Sequence, residues 1–323
     1  GQRYTLANFG NGCSERMDLG KNASRDHLDS GFDRYQAVRH RLPAIPRQGA
    51  CRRAANLAEI SEHFDALLLD AFGVLNIGQA AVPGSPERIE QLQASGKRAM
   101  VVSNAAGFPH SAIVERLGGL GYRFDSDDII TSRKALLAGL AKESPRHWGM
   151  AAGEVFGPEE FGDLDFTRLG DDPEIYEKAE GFLFVGASAW NDHRQARLID
   201  TLKRRPRPFW VANPDLMAPQ ENGFSTEPGT YGHAIAEATG IVPEFYGKPF
   251  GNIYELALAH LGADFDPDRV LMVGDTLHTD ILGGLAAGIQ TALVVDTGVL
   301  AGSDIEAAIE ASGIAPDWIL ERP

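Results

Sequence analysis

Two short apolar runs end on carboxylates. Ala66-Leu67-Leu68-Leu69 leads directly into Asp70, and Val270-Leu271-Met272-Val273 leads through Gly274 into Asp275. Runs of four apolar residues without polar alternation read as strands buried on both faces, the pattern of parallel sheets covered by helices. A carboxylate closing such a strand is expensive unless something charged pairs with it. The ends of these strands are therefore where chemistry should be sought.

The surrounding pattern supports a parallel sheet. A helix is expected over 85–93, with Pro86 in its first turn and Gly96 beyond its end, then a strand over 98–102 and a helix over 109–117. The same alternation returns late in the chain, as helix 252–261, strand 270–273, helix 279–287 and strand 291–295. Strand–helix–strand spacing of this kind means crossover connections in a doubly wound α/β fold. Between the two parts, 133–140, 194–202 and 231–239 read as helices and 148–151, 182–185 and 208–212 as strands. We expect a Rossmann-like core over 61–106 and 246–323 and an inserted α/β cap over 107–245, placed above the carboxyl ends of the core strands, where open α/β sheets bind ligands.

Residues 1–60 differ in charge. They carry ten basic and six acidic residues, a balance of +4, whereas 61–323 carries −19 of the chain's net −15. The stretch from Arg3 to Arg34 has no periodicity to bury, so 1–60 reads as a basic N-terminal extension. A packing arm lying against the acidic body fits this split; a dimer-bridging role, and with it a homo-oligomer, stays open. The acidic surface argues against nucleic acid and anionic membranes as partners. No run approaches the ~18 apolar residues of a membrane span, and the first residues show no signal pattern, so a cytoplasmic location is expected. Cys13 and Cys51 form no metal-binding pair.

Four motifs carry candidate chemistry. Asp70 opens Asp-Ala-Phe-Gly-Val-Leu and could serve as a nucleophile, a metal ligand or a cap for its loop. Ser103-Asn104 follows a strand and offers a hydroxyl and backbone N–H groups to an anion, or simply a helix entry. Lys248, between Gly247 and Pro249, could neutralise a carboxylate and a phosphate together. Asp275 and Asp280 are two carboxylates folded back by a tight loop, a good hard-cation site and especially one for Mg²⁺.

In combination these motifs resemble the haloacid dehalogenase-like hydrolases, in the branch with an α/β cap that includes nucleotide, sugar-phosphate and nitrophenyl-phosphate phosphatases. The resemblance covers about 63–300 and includes Ala212-Asn213-Pro214-Asp215 and Thr297-Gly298-Val299. It implies that Asp70 is the nucleophile forming an aspartyl-phosphate, that Ser103 and Asn104 bind phosphate, and that Lys248 is the motif lysine. It further implies Mg²⁺ held by Asp70, the Phe72 carbonyl and Asp275, with Asp280 orienting a water of the ion's shell. Asn213 and Asp215 would face a small phosphorylated metabolite from the cap.

One position departs from the family pattern. Where these phosphatases usually carry a second Asp, two residues after the nucleophile, this chain has Phe72. A positioned general acid typically contributes about 10²–10⁴ in rate, and Phe72 cannot carry a proton. Good leaving groups or a proton donor from the cap would restore turnover. Other readings are non-phosphatase hydrolysis of the same superfamily, or a weak or inactive homologue acting as a metabolite-binding or scaffold protein. His193, His233 and His278 are further proton-carrying candidates. The basic cluster 203–207 reads as a helix end, and Gly153–Gly157 lacks phosphate-loop spacing.

Overall fold

The computed structural model describes residues 23–220 and 223–323. Its central sheet has seven parallel strands, in the order Arg52–Ala54, Trp318–Leu320, Gln290–Val294, Val270–Gly274, Ala66–Leu69, Arg98–Ser103 and Ile129–Thr131. The absence of polar alternation now has its cause. Ala66 and Leu68 pack with Ile253, Tyr254 and Ala257 on one face, while Leu67 and Leu69 pack with Ile89, Leu92 and Leu117 on the other. Both faces are covered, so every position of the strand is apolar.

Register fixes the site. Leu69 pairs with Val273 on one side and Val101 on the other. Asp70, Asp275 and Ser103 therefore emerge along one carboxyl edge. From Ala66–Leu69 the chain builds outward to one side, and after the cap it returns to build the other. That reversal is the topological switch point at which such sheets hold ligands.

A second parallel sheet forms the cap, in the order Glu244–Phe245, Phe209–Val211, Gly181–Phe184, Trp148–Ala151 and Phe166–Arg168. Tyr176, Phe182, Phe184, Phe209, Leu198 and Leu202 make its own aromatic-rich core. Arg133, buried, staples cap to core. Its Nε donates to the Ala106 carbonyl and its Nη1 to Glu160 Oε2 (2.8 Å), while Nη2 reaches the Phe156 carbonyl.

Two boundaries move. Strand Ile129–Thr131 pairs with Arg98–Ser103 in the core sheet, and Ala135 and Leu136 of helix Ser132–Leu140 pack against Ile253 and Ala257. The segment from 107 to about 147 thus belongs to the core, and the cap sheet begins at Trp148. No strand was expected over 129–131, so the alternation of elements gave no sign that this segment continues the core sheet. At the other end, Arg52–Ala54 is an edge strand and Leu57–Ile60 a short helix, both inside the segment set apart as an extension.

Residues 23–38 also form a helix, α1 (Ala23–Val38), in a stretch where no buried periodicity was expected. Residues 1–22 lie outside the described part, as does Cys13. Among the described residues no helix is long and apolar enough to cross a membrane.

Candidate active site

Lys248 is the hub. It is 2 % exposed, and its Nζ donates to Asp70 Oδ1 at 2.6 Å and to Asp280 Oδ1 at 2.7 Å. Burial works against its charge, but Asp280 and Asp70 outweigh burial and raise its pKa. Asn104 fixes the lysine's backbone, accepting from Lys248 N (2.7 Å) and donating to Lys248 O (2.9 Å).

The carboxylates converge around it. Oxygens of Asp70, Asp275 and Asp280 lie within 4.8 Å of one another. Asp280 is folded back by a π-helical turn over Leu277–Ile281, where the sequence suggested an ordinary helix start, and accepts from Thr276 N. Single π turns of this sort recur at functional sites. Gly274 is required beneath it, because a Cβ there would stand 2.1 Å from the Asp280 carboxyl carbon. Asp275 accepts from Thr276 Oγ1 (2.9 Å) and Val299 N (2.8 Å). Gly298, at φ +84°, lets that loop pass so close to Asp275 that a Cβ would clash with its carboxylate.

This cluster is short of positive charge. Burial, then Asp280, pushes Asp275 up to about 7, and burial followed by Asp280 raises Asp70 well above the ordinary carboxylate range despite Lys248. An all-oxygen set with excess buried negative charge fits a hard dication. The 4.8 Å spread is close to twice the ~2.1 Å bond of Mg²⁺ to oxygen.

The cap contributes Asp215. It follows strand Phe209–Val211, and its Oδ1 accepts from Asn104 Nδ2 at 2.8 Å. Burial first of all pushes it up to about 7. Asn213 takes no such position. Its amide donates to Glu227 Oε2 (3.0 Å) and its Oδ1 accepts from Asp215 N (3.0 Å), so it shapes the loop.

Ser103 is buried beside this group, its Oγ accepting from Ala105 N. Phe72 lies half-buried in a turn tied by Gly73 N to Asn76 O and by Thr297 Oγ1 to Gly73 O. His193 is exposed beside Arg197 on the cap surface, and His233 is buried against Phe245. His278 is buried against Tyr35 and Phe32 of helix α1. The basic cluster binds helix-end carbonyls, Arg207 those of Tyr176 and Ala179. Tyr35 is the residue that sequence reasoning missed, since nothing in its polar surroundings marks it.

Comparison with known proteins decides the family. A haloacid dehalogenase-like hydrolase model matches residues 67–164, and a HAD-hydrolase-like model matches 245–322. The chain belongs to the haloacid dehalogenase-like superfamily. Among relatives of this superfamily, the acid sugar phosphatase of Staphylococcus saprophyticus is 28% identical over 258 residues, covering 76% of this chain and 91% of that protein. The p-nitrophenyl phosphatase of Archaeoglobus fulgidus superposes with TM-score 0.68 at 25% identity, covering 80% of this chain and 96% of that one. A possible sugar phosphatase of the HAD superfamily from Cytophaga hutchinsonii gives TM-score 0.73 at 24% identity, over 84% of this chain and 98% of that one, and so shares its fold.

Proposed function

We propose that the chain is a Mg²⁺-dependent phosphatase of small phosphate esters that works through an aspartyl-phosphate and favours good leaving groups. The observation that carries this reading is Lys248 Nζ bridging Asp70 and Asp280 beside Asp275. An anionic nucleophile can approach an anionic phosphoryl group only where cations cancel the repulsion and hold the line of attack. Asp70, Asp275 and the Phe72 carbonyl would hold the ion, with Asp280 behind them; bound Mg²⁺ would supply charge neutralisation and orientation.

The chain's own residues do the rest. An Asp70 carboxylate oxygen attacks phosphorus, and the ester oxygen departs with the bonding pair. Lys248 holds Asp70 in place and offsets part of the cost of its charge. The Ser103 hydroxyl is free to donate to a phosphoryl oxygen, whereas the Asn104 side chain is already engaged by Lys248 and Asp215 and acts by positioning both. Phe72 gives no proton to the leaving oxygen, which is why stable leaving groups are favoured.

Asp215 supports a second reading. A buried carboxyl pushed up to about 7 is protonated in about half of the molecules at neutral pH and could supply that proton. The test is phosphate release over a panel of esters, with and without Mg²⁺, in wild type and Asp70→Asn. Turnover that needs both Mg²⁺ and Asp70 is expected; release that survives Asp70→Asn, or no release from any ester, rejects the primary reading. Asp215→Asn selectively lowering alkyl-ester turnover would favour the second.

A further inference from the structure

Helix α1 lies outside the residues matched by either family model, yet it touches both halves of the site. On the core side, the Tyr35 ring stacks on His278, two residues before Asp280, with centroids 5.3 Å apart and planes 12° apart. Phe32 meets the same imidazole edge-on, and Gln36 Oε1 lies 2.9 Å from His278 Nε2. On the cap side, Leu216 N, next to Asp215, donates to the Tyr35 hydroxyl at 3.3 Å. Gly31 backs onto Met217 so closely that a Cβ would stand 3.0 Å from its sulfur. Arg41, just past the helix, pairs with Glu237 of the cap at 2.5 Å.

Tyr35 is therefore buried between the loop that carries Asp280 and the loop that carries Asp215. Asp215, Asp280 and Asp275 are near enough for their charges to act on its hydroxyl. The space left between α1 and the core loop, lined by Phe32, Tyr35, Leu277 and Val299, is about 10 Å³, room for about one water. A rigid aromatic ring fixed from both sides is a steric limit rather than a soft contact.

We propose that helix α1 is a third wall of the ester site, beside core and cap, and that Tyr35 is a positioning residue that limits the size of the leaving group. This rests on the phosphatase reading for its substrate but on the α1 contacts for its geometry. The hydroxyl accepts from Leu216 N and keeps its own proton to donate, so the residue both closes the wall and orders the cap loop.

The experiment uses the full chain with Mg²⁺ and two aryl esters of similar leaving-group stability, phenyl phosphate and 1-naphthyl phosphate. Steric pockets discriminate by about 10-fold or more per added carbon group. Tyr35→Ala should therefore shift the naphthyl-to-phenyl ratio of kcat/KM upward by at least ~10-fold, mainly through KM for the larger ester. Tyr35→Phe, which keeps the ring, should hold the wild-type ratio. A ratio unchanged within about twofold in folded Tyr35→Ala overturns the proposal. Should that variant fail to fold, Tyr35→Leu carries the same expectation and the same failure criterion. Amide hydrogen exchange reads the wall without turnover. Tyr35→Ala should speed exchange at 213–217 and 276–280 by about tenfold, and unchanged protection there overturns the proposal. Wild type inactive on both esters would reject the phosphatase reading, and exchange alone would then decide the wall.

Discussion

Asn104 of the core and Asp215 of the cap share one hydrogen bond, Nδ2 to Oδ1 at 2.8 Å. The same amide side chain grips both the N–H and the C=O of Lys248. One residue thus sets the position of the lysine and of the cap loop together. The position of the cap loop and the alignment of the buried charges therefore depend on the same side chain.

Asp215 gives this junction a pH signature. Its folded pKa, pushed up to about 7 mainly by burial, lies above the ordinary value near 3.9. Between those values the folded state holds a proton that the unfolded state has lost, so stability falls as pH rises through the window. The full penalty is present above pH 7 and amounts to at most about 4 kcal/mol, less the part that residual exposure relieves. Asp215→Asn should therefore raise the melting temperature more at pH 8 than at pH 5 in metal-free buffer. An equal gain at both pH values would mean that Asp215 ionises normally in the fold.

Lys248→Met should be costly in two separable ways. It strips the cation from buried Asp70 and Asp280, which typically costs about 3–5 kcal/mol. Denaturant melts should show a large loss at pH 8 and a smaller one at pH 5, where the abandoned Asp70 carboxyl, already raised by burial, can take up a proton. Adding Asp280→Asn should recover part of the stability and none of the phosphate release. Retained activity in the single variant would remove Lys248 from the chemistry.

Much of this was legible in the residues. Asp70 and Asp275 announced themselves because a carboxylate closing an apolar strand needs a reason, and register then places them together. Several core and cap strands were legible as apolar runs, but Ile129–Thr131 was not, since two isoleucines and a threonine are too short a run to announce a strand or the sheet it joins. Asn213 and Asp215 looked equivalent in sequence. Only the turn, with Asn213 Oδ1 accepting from Asp215 N, decides which one reaches the core. Helix α1 escaped because its contacts are with loops far away in sequence and leave no periodic trace.

Arg133 should govern the hinge rather than the chemistry. Its buried guanidinium ties Ala106, just after Ser103-Asn104, to Phe156, Gly157 and Glu160 on the cap side. Arg133→Met removes every one of those bonds and leaves several carbonyls without a donor, each worth about 1–3 kcal/mol when buried. The expected result is a lower denaturation midpoint and faster proteolysis within 152–162. A midpoint unchanged from wild type would show that the cap is held elsewhere.

Phe72 gives the sharpest test, because it stands where a leaving-group acid would be expected. Without protonation, the barrier should track the stability of the departing oxyanion, so aryl and acyl phosphates should be cleaved much faster than alkyl phosphates. A positioned acid is worth about 10²–10⁴ in rate, roughly 3–5 kcal/mol of barrier. Phe72→Asp should therefore raise kcat/KM for an alkyl phosphate by a larger factor than for nitrophenyl phosphate. The condition is that the new carboxylate stays off the cation site formed by Asp70, Asp275 and Asp280, which a metal titration of the variant would check. Both activities should vanish when Asp70→Asn is added, since the nucleophile serves every ester. Equal wild-type efficiency on alkyl and aryl esters, unmoved by Phe72→Asp, would contradict the leaving-group argument. The proton would then come from the cap, and Asp215, held at 2.8 Å by Asn104, is the group whose removal should abolish it.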